Sequence, residues 1–348
     1  MDTKKPAMHV NQAGTPSNLR SILDTIIDND IQQSLMLWGP PGIGKSSIVA
    51  QVSESSDIDL IDLRLSQLAP TDLRGLPVAD HDTNTSRWYP PEFLPREGKG
   101  ILFLDEINLA PPSMQGIAQQ LILDRKVGNY TVPDGWFIWS AGNRKEDFAA
   151  VFDMPGPLAN RFIHFHVEPD IGSFKQYALR ENLHESVIAF TLFRPDLLHK
   201  ASKQSPAWPS PRTWAMSSVL HSAGLDVAPA VGDSVAAEFN AYIEMIENMP
   251  DLSGILGGKG PKAFPEEPSI RYAITVGLAS RSQDATQAIN SLLWMIEKAP
   301  AEWVQLFAVD ILALARDRGY IVELAKSLQT SESAKEFMTR YRELIGMG

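Results

Sequence analysis

Apolar positions in the first half of the chain change period repeatedly. Leu19, Ile22, Leu23, Ile26 and Ile27 recur at helical spacing behind Ser17, the expected N-cap, and predict a first helix. Ser34 to Trp38 is a short apolar run that ends in a Gly-Pro loop and reads as a buried strand. Ser46 to Ser53 predicts a helix, and Ile58 to Leu63 predicts the next strand. Leu73 to Gly98 is irregular and proline-rich. Within it the polar turn Asp80 to Ser86 separates Leu76–Val78 from Trp88–Tyr89, which predicts an inserted hairpin. Ile101 to Leu104 is a run of buried-strand type, and Pro112 to Leu123 is a helix with proline at its start. Tyr130–Val132 and Trp136–Ser140 flank Pro133-Asp134-Gly135 and predict a second hairpin. Ile163 to Val167 reads as one more strand. This alternation of strands and helices predicts an α/β fold with a parallel, doubly wound sheet.

Beyond residue 169 the strand signal fades. Asp170–Glu181, Ser186–Phe193, Pro211–His221 and Val235–Glu247 all predict helices, and Ile270 to Met347 is helical again. Gly254 to Pro268 is rich in Gly, Pro and Lys and reads as a linker or exposed loop. The expected organisation is an N-terminal arm over 1–16, mobile or forming an extended edge, and an α/β core over 17–169. Hairpin inserts are expected near 76–90 and 130–137. A helical lid over 170–255 and a helical region over 256–348 would follow.

Composition narrows the class. The 348 residues are long enough for two domains, and no Cys is present, which excludes disulfides and thiolate chemistry. Absence of Cys fits a reducing cytosol. A net charge of −11 argues against a broad nucleic-acid surface, which needs a basic stripe. The longest apolar stretch, Trp303 to Ala315, is interrupted by Asp310 and too short to span a bilayer. Met1 to Val10 has no apolar h-region. A soluble cytoplasmic protein is expected.

Gly39-Pro40-Pro41-Gly42-Ile43-Gly44-Lys45-Ser46, followed by Ser47, matches the phosphate-loop pattern G-x-x-x-x-G-K-[ST]. Glycines let backbone N–H groups turn inward around a phosphate, and the helix behind them points its positive end at the same anion. Lys45 would reach the β- and γ-phosphates, and Ser46 would ligate Mg²⁺. Sixty positions on, Ile101–Leu104 delivers Asp105 and Glu106 at the carboxyl end of a strand, the edge where open α/β sheets bind ligands. Asp105 would hold Mg²⁺ directly or through water. Glu106 would polarise the attacking water. Asn143 could orient that water, although on residue type alone the Asx-turn reading is favoured. Arg161 and Arg212 are candidates for contact with a γ-phosphate, against the ordinary fate of a surface charge. Trp88 and Tyr89 could line a pore or simply pack the hairpin. The seven histidines show no zinc spacing and read as structural.

The loop GPPGIGKSS, the strand ILFLDEIN and the segments SAGNR, LANRF and SPRTW follow one another as in an AAA+ ATPase, and over residues 17–225 the chain resembles that superfamily. Ile107-Asn108 after the acids, the insert near 75–98, the hairpin at 130–136 and the stretch Asp62 to Pro77 resemble its MoxR group. The resemblance implies Lys45 and Ser46 as Walker A, Asp105 and Glu106 as Walker B, Asn143 as sensor 1, Arg161 as the arginine finger and Arg212 as sensor 2. Arg144 stands where the MoxR group often has proline and is the alternative finger. The resemblance further implies ATP and Mg²⁺ as cofactors, a homo-hexameric ring, and remodelling of a protein client with a von Willebrand factor A domain partner. A nucleic-acid-directed, McrB-like NTPase motor is the alternative, because DEIN strands occur there too. Glu106 and Asn143 argue against a scaffold that binds nucleotide without cleaving it.

Overall fold

The computed structural model describes residues 14–82, 84–147, 151–203, 205–246 and 249–340, with side chains up to residue 336. Residues 1–13 of the expected arm, Thr83 of the polar turn, Glu247 and the helical stretch beyond residue 340 lie outside the described residues. The chain divides into two compact units, Met1–Asp170 and Ile171–Gly348.

The first unit runs α1 (Pro16–Asp28), β1 (Leu35–Trp38), α2 (Lys45–Ser55), β2 (Asp59–Arg64), α3 (Pro70–Arg74), β3 (Leu76–Asp80), β4 (Thr85–Tyr89), β5 (Gly100–Asp105), α4 (Pro112–Asp124), β6 (Lys126–Val127), β7 (Tyr130–Thr131), β8 (Trp136–Gly142), α5 (Gly156–Ala159) and β9 (Ile163–His166). Five strands form one sheet in the order β2-β5-β8-β1-β9. Every pairing in it is parallel. Alternate strand residues face opposite ways, so the apolar runs feed two cores. Leu35, Leu37, Ile101, Phe103, Phe137 and Trp139 pack with Leu19 and Leu23 of α1 and Val49 and Val52 of α2. Met36, Leu102, Leu104 and Ile138 pack with Met114, Ile117 and Leu121 of α4. Helices therefore cover both faces, which makes the sheet doubly wound. The crossovers β1-α2-β2 and β5-α4-β8 bring the chain back in the same direction each time, and all five carboxyl ends meet at one edge.

Two local expectations are corrected. Thr15, not Ser17, caps α1: its hydroxyl accepts the Asn18 N–H at 3.2 Å, and Pro16 takes the first helical position. Proline needs no N–H partner there, so the helix starts two residues earlier than a Ser17 cap would set it. Gly14 extends the sheet edge, bridging in parallel to Val167. The second hairpin is Lys126–Val127 against Tyr130–Thr131, not 130–132 against 136–140. Residues 136–142 are buried throughout, and strand β8 runs parallel between β5 and β1. An apolar run with no polar face satisfies both backbone edges only in the middle of a sheet.

In the first hairpin β3 and β4 pair antiparallel, as expected. Its two faces separate the aromatic pair. Trp88 is half-buried and comes close to Gly128 in the turn of the second hairpin, whereas Tyr89 stays 59% exposed beside Leu76.

The second unit is helical: α6 (Ile171–Arg180), α7 (Glu185–Phe193), α8 (Pro211–Ser222), α9 (Ala228–Val231), α10 (Asp233–Ile246), α11 (Leu252–Leu256), α12 (Pro268–Arg281), α13 (Ala285–Lys298), α14 (Ala301–Asp317), α15 (Ile321–Thr330) and α16 (Glu332–Arg340). One buried cluster joins residues on both sides of position 256, from Phe174 to Ala334. The stretch read as a linker is part of it. Leu252 and Ile255 of α11 are buried, Phe264 packs against Trp294 and Trp303, and a Cβ at Gly260 would meet the Trp294 ring at 2.5 Å. Glycine and proline here allow close approach to aromatic rings, a demand that composition does not separate from flexibility.

Asp310, which interrupts the longest apolar run, is 3% exposed and pairs with Lys175 at 2.6 Å. Its second oxygen has no hydrogen-bond partner among the described residues, and burial raises its carboxyl pKa against the pull of Lys175. Lys175→Met is expected to cost about 3–5 kcal/mol, because it leaves a buried acid alone. In urea unfolding, K175M combined with Asp310→Leu should recover most of that loss. An equal loss in the double variant would mean the pair itself, not the orphaned charge, sets stability.

Two histidines supply a pH dependence. His184 Nδ1 accepts the Ser186 N–H at 3.2 Å at the start of α7, and its ring lies edge-on to His221 at 4.5 Å. Burial holds both imidazoles below the usual pKa of 6.5. Glu185 opposes this at His184 while Arg281 adds to it, and His184 adds to it at His221. The unfolded chain then binds protons more readily than the folded one, so stability falls as pH drops below 6.5. Urea midpoints at pH 7.5 and 5.5 test this, and His184→Asn should flatten the difference.

Candidate functional site

The site is built at the carboxyl edge of the parallel sheet. After β1 the chain turns through residues 39–44 and enters α2 at Lys45. Gly44 is the N-cap at φ +97°, a left-handed conformation that favours glycine. Gly39 is required by contact, since a Cβ there would sit 2.6 Å from the Val167 carbonyl oxygen. No side chain caps α2, and its first turn carries no acid. Its positive dipole end is therefore open to an external anion.

Lys45 is 8% exposed in the centre of this loop. Its ammonium donates to the carbonyls of Gly39 and Pro40 at 2.7 and 3.1 Å and to Asn143 Oδ1 at 2.9 Å. The next side chain, Ser46, donates its hydroxyl to Asp105 Oδ2 at 2.7 Å. Asp105 ends β5, and its other oxygen accepts the Glu106 N–H at 2.8 Å. Glu106 takes φ +55°, uncommon for a side-chain-bearing residue and a feature that clusters at functional sites. Its carboxylate accepts from Ser66 Oγ at 2.6 Å.

Five of the expected residues thus converge: Lys45, Ser46, Asp105, Glu106 and Asn143. They come together because β5, β8 and β1 are adjacent and parallel, so their last residues share one edge. Gly39, Pro40, Gly42 and Ile43 are buried in the loop, Pro41 is half-buried and Ser47 is exposed on α2.

The residues fit a nucleotide with a divalent ion. The loop and helix start offer N–H donors and an ammonium to phosphate oxygens. Ser46 and Asp105 set a hydroxyl and a carboxylate side by side, hard oxygen ligands that suit Mg²⁺. Among the described residues no cluster of three or more His, Asp or Glu could hold a metal. A Mg²⁺ ion here would therefore draw its remaining ligands from phosphate and water.

The arginines separate. Arg161 follows the short α5, is exposed and makes no ion pair among the described residues. Arg144 is occupied. Asp147 takes its Nε at 2.9 Å and one terminal nitrogen at 3.0 Å, while Glu168 takes both terminal nitrogens. The hydrogen bonds from Asp147, then Glu168, raise its pKa still further. A guanidinium bound on both edges by its own chain acts as a clamp between the ends of β8 and β9. Arg212 is exposed on α8 of the second unit, where Ser210 and Thr213 form the helix cap.

Three residues near the acids were missed in the sequence. Ser66 holds Glu106, as described. Asp62 on β2 has its carboxyl pKa raised by burial first and then by Asp105 and Glu106, while Arg64 opposes the rise. Asn108 bonds to the main chain of Asn143. For Ser66 and Asp62 the signal was present in the stretch Asp62 to Gln67, but it becomes specific only when β2 pairs with β5 and sets Arg64 opposite Asp105. His164, read as structural, accepts from Trp38 Nε1 at 2.8 Å and bonds to the Ala159 carbonyl through its other nitrogen.

Residues 35–123 match the family model described as ATPase family associated with various cellular activities (AAA). Midasin from Giardia intestinalis is 29% identical over 147 residues, which cover 39% of this chain and 3% of midasin. A RuvB mutant from Thermotoga maritima is 15% identical, covering 66% of this chain and 68% of that one, with a TM-score of 0.38. NtrX from Brucella abortus in complex with ATP is 15% identical, covering 66% of this chain and 56% of NtrX, with a TM-score of 0.39. No helix among the described residues is long and apolar enough to cross a membrane. The loop with Lys45 and Ser46 and the strand with Asp105 and Glu106 lie inside the matched stretch, and over residues 35–123 the chain is similar to the AAA family of ATPases.

Proposed function

We propose that the chain is a MoxR-type, Mg²⁺-dependent ATPase that works as a homo-hexameric ring and remodels a protein partner, one with a von Willebrand factor A domain. The observation that carries the reading is the convergence of Lys45, Ser46, Asp105, Glu106 and Asn143 within hydrogen-bonded reach at one sheet edge. Bound Mg·ATP would supply an electrophilic γ-phosphoryl group whose charge the ion helps to neutralise. The residues divide the remaining work. The loop N–H groups and Lys45 bind the phosphates, and Ser46 and Asp105 hold the ion. Glu106 accepts a proton from the attacking water. Asn143 orients that water. Arg161 is exposed and available to a neighbouring subunit, and Arg212 is assigned the sensor 2 role.

A net charge of −11 favours a protein client over nucleic acid. The test is a pull-down with Glu106→Gln, which should bind ATP without cleaving it and hold its partner, against Lys45→Ala as the empty control. A protein enriched only with E106Q supports the reading. Enrichment of nucleic acid instead would overturn it in favour of an McrB-like motor.

A further inference from the structure

Asn108 stands two residues after Glu106 and is 3% exposed. Its side chain is committed to the main chain of Asn143: Nδ2 donates to the Asn143 carbonyl at 2.6 Å, and Oδ1 accepts the Asn143 N–H at 3.2 Å. Its own carbonyl accepts the Phe152 N–H at 2.8 Å. The approach is tight, since a Cβ on Gly142 would lie 2.5 Å from Asn108 Oδ1.

The need for such a clamp follows from where the sheet ends. The ladder between β1 and β8 stops at Trp38 opposite Gly142. Asn143 is one residue beyond it and only 9% exposed, so its N–H and C=O are buried with no strand partner. One side chain supplies both missing partners. It must offer a donor and an acceptor in one plane: aspartate lacks the donor, and leucine lacks both. With its peptide held at both ends, Asn143 keeps Oδ1 on the Lys45 ammonium.

We propose that Asn108 is a positioning residue that acts through Asn143. It sets the Asn143 peptide, and through it aims the Asn143 amide at Lys45 and the attacking water. The proposal rests on reading this site as an ATPase centre, and its test separates the two.

The variants are Asn108→Ala, Asn108→Asp, Asn143→Ala and the double N108A/N143A, in the full chain. For N108A, kcat for ATP should fall about 10²-fold, the scale of a 1 Å misplacement, with KM and nucleotide affinity held within about two-fold. The double variant should be no slower than N143A, because the two residues act as one unit. Hydrogen exchange gives a readout independent of turnover. The Asn143 amide should lose protection in N108A and keep it in N108D, which retains the acceptor, while the amides of Phe137 to Ala141 stay protected in both. Additive losses in the double variant, or an Asn143 amide unchanged in N108A, would overturn the proposal. If the wild-type chain does not hydrolyse ATP, the ATPase reading fails, and the exchange measurement alone still decides whether Asn108 holds Asn143.

Discussion

Replacing Arg161 with alanine should slow ATP hydrolysis by about 10³–10⁵-fold, the range of an arginine finger, while nucleotide affinity stays close to wild type. Arg144, the other candidate, spends its guanidinium on Asp147 and Glu168 of its own chain. Withdrawing it would leave two carboxylates facing each other. Arg161 is exposed beside β9 and makes no ion pair among the described residues, so it can move toward a neighbour's phosphate without that cost. Action across a subunit boundary makes a second expectation. Mixing inactive Arg161→Ala with inactive Lys45→Ala should restore part of the activity, because some interfaces then join an intact phosphate loop to an intact arginine. No recovery on mixing would place the contact within one chain. Normal turnover by R161A alone would remove the residue from the mechanism. Arg144→Ala should act differently, lowering stability as well as rate, since it releases the clamp between the ends of β8 and β9.

Glu106→Gln should lower turnover by about 10²–10⁴-fold, the usual contribution of a general base, and leave nucleotide binding intact. The substitution preserves shape. Glutamine keeps an oxygen that can accept from Ser66 Oγ, so the contact at 2.6 Å has a neutral equivalent. What disappears is the proton acceptor. The same change removes one of the charges that raise the Asp62 pKa, so the Asp62 carboxyl should titrate closer to its ordinary value in E106Q. Titration by carboxyl-carbon NMR would read that shift, and steady-state hydrolysis would read the rate. A rate within ten-fold of wild type would exclude Glu106 as the base and turn attention to Asp62.

Much of this site is legible in the sequence alone. The phosphate loop is contiguous in sequence, and its residue types are dictated by local needs: glycine for the backbone path, lysine and serine for phosphate and cation. The acidic strand is equally local, four apolar residues followed by Asp105 and Glu106. The sheet class followed from the same apolar runs, because strands buried on both faces carry no polar alternation.

Partnership between strands was not legible. The run at 136–140 was assigned to a hairpin because a turn signal stood before it, yet its burial on both faces required the centre of the sheet. That placement brings Asn143 to Lys45 across 98 positions of chain and Asn108 to the Asn143 peptide across 35. Arg144 and Arg161 could not be ranked from sequence, since the carboxylates that occupy Arg144 include Glu168, 24 residues away on the far side of β9. The glycines and prolines of 254–268 posed the same difficulty, marking flexible loops and close packing alike until Trp294 arrives beside Gly260. By itself the sequence determined which chemistry the loop and the acidic strand can perform, because those residues act where the chain puts them. Only the tertiary structure decided which side chains hold them in place, because holding is done by residues distant in sequence that meet when parallel strands end together.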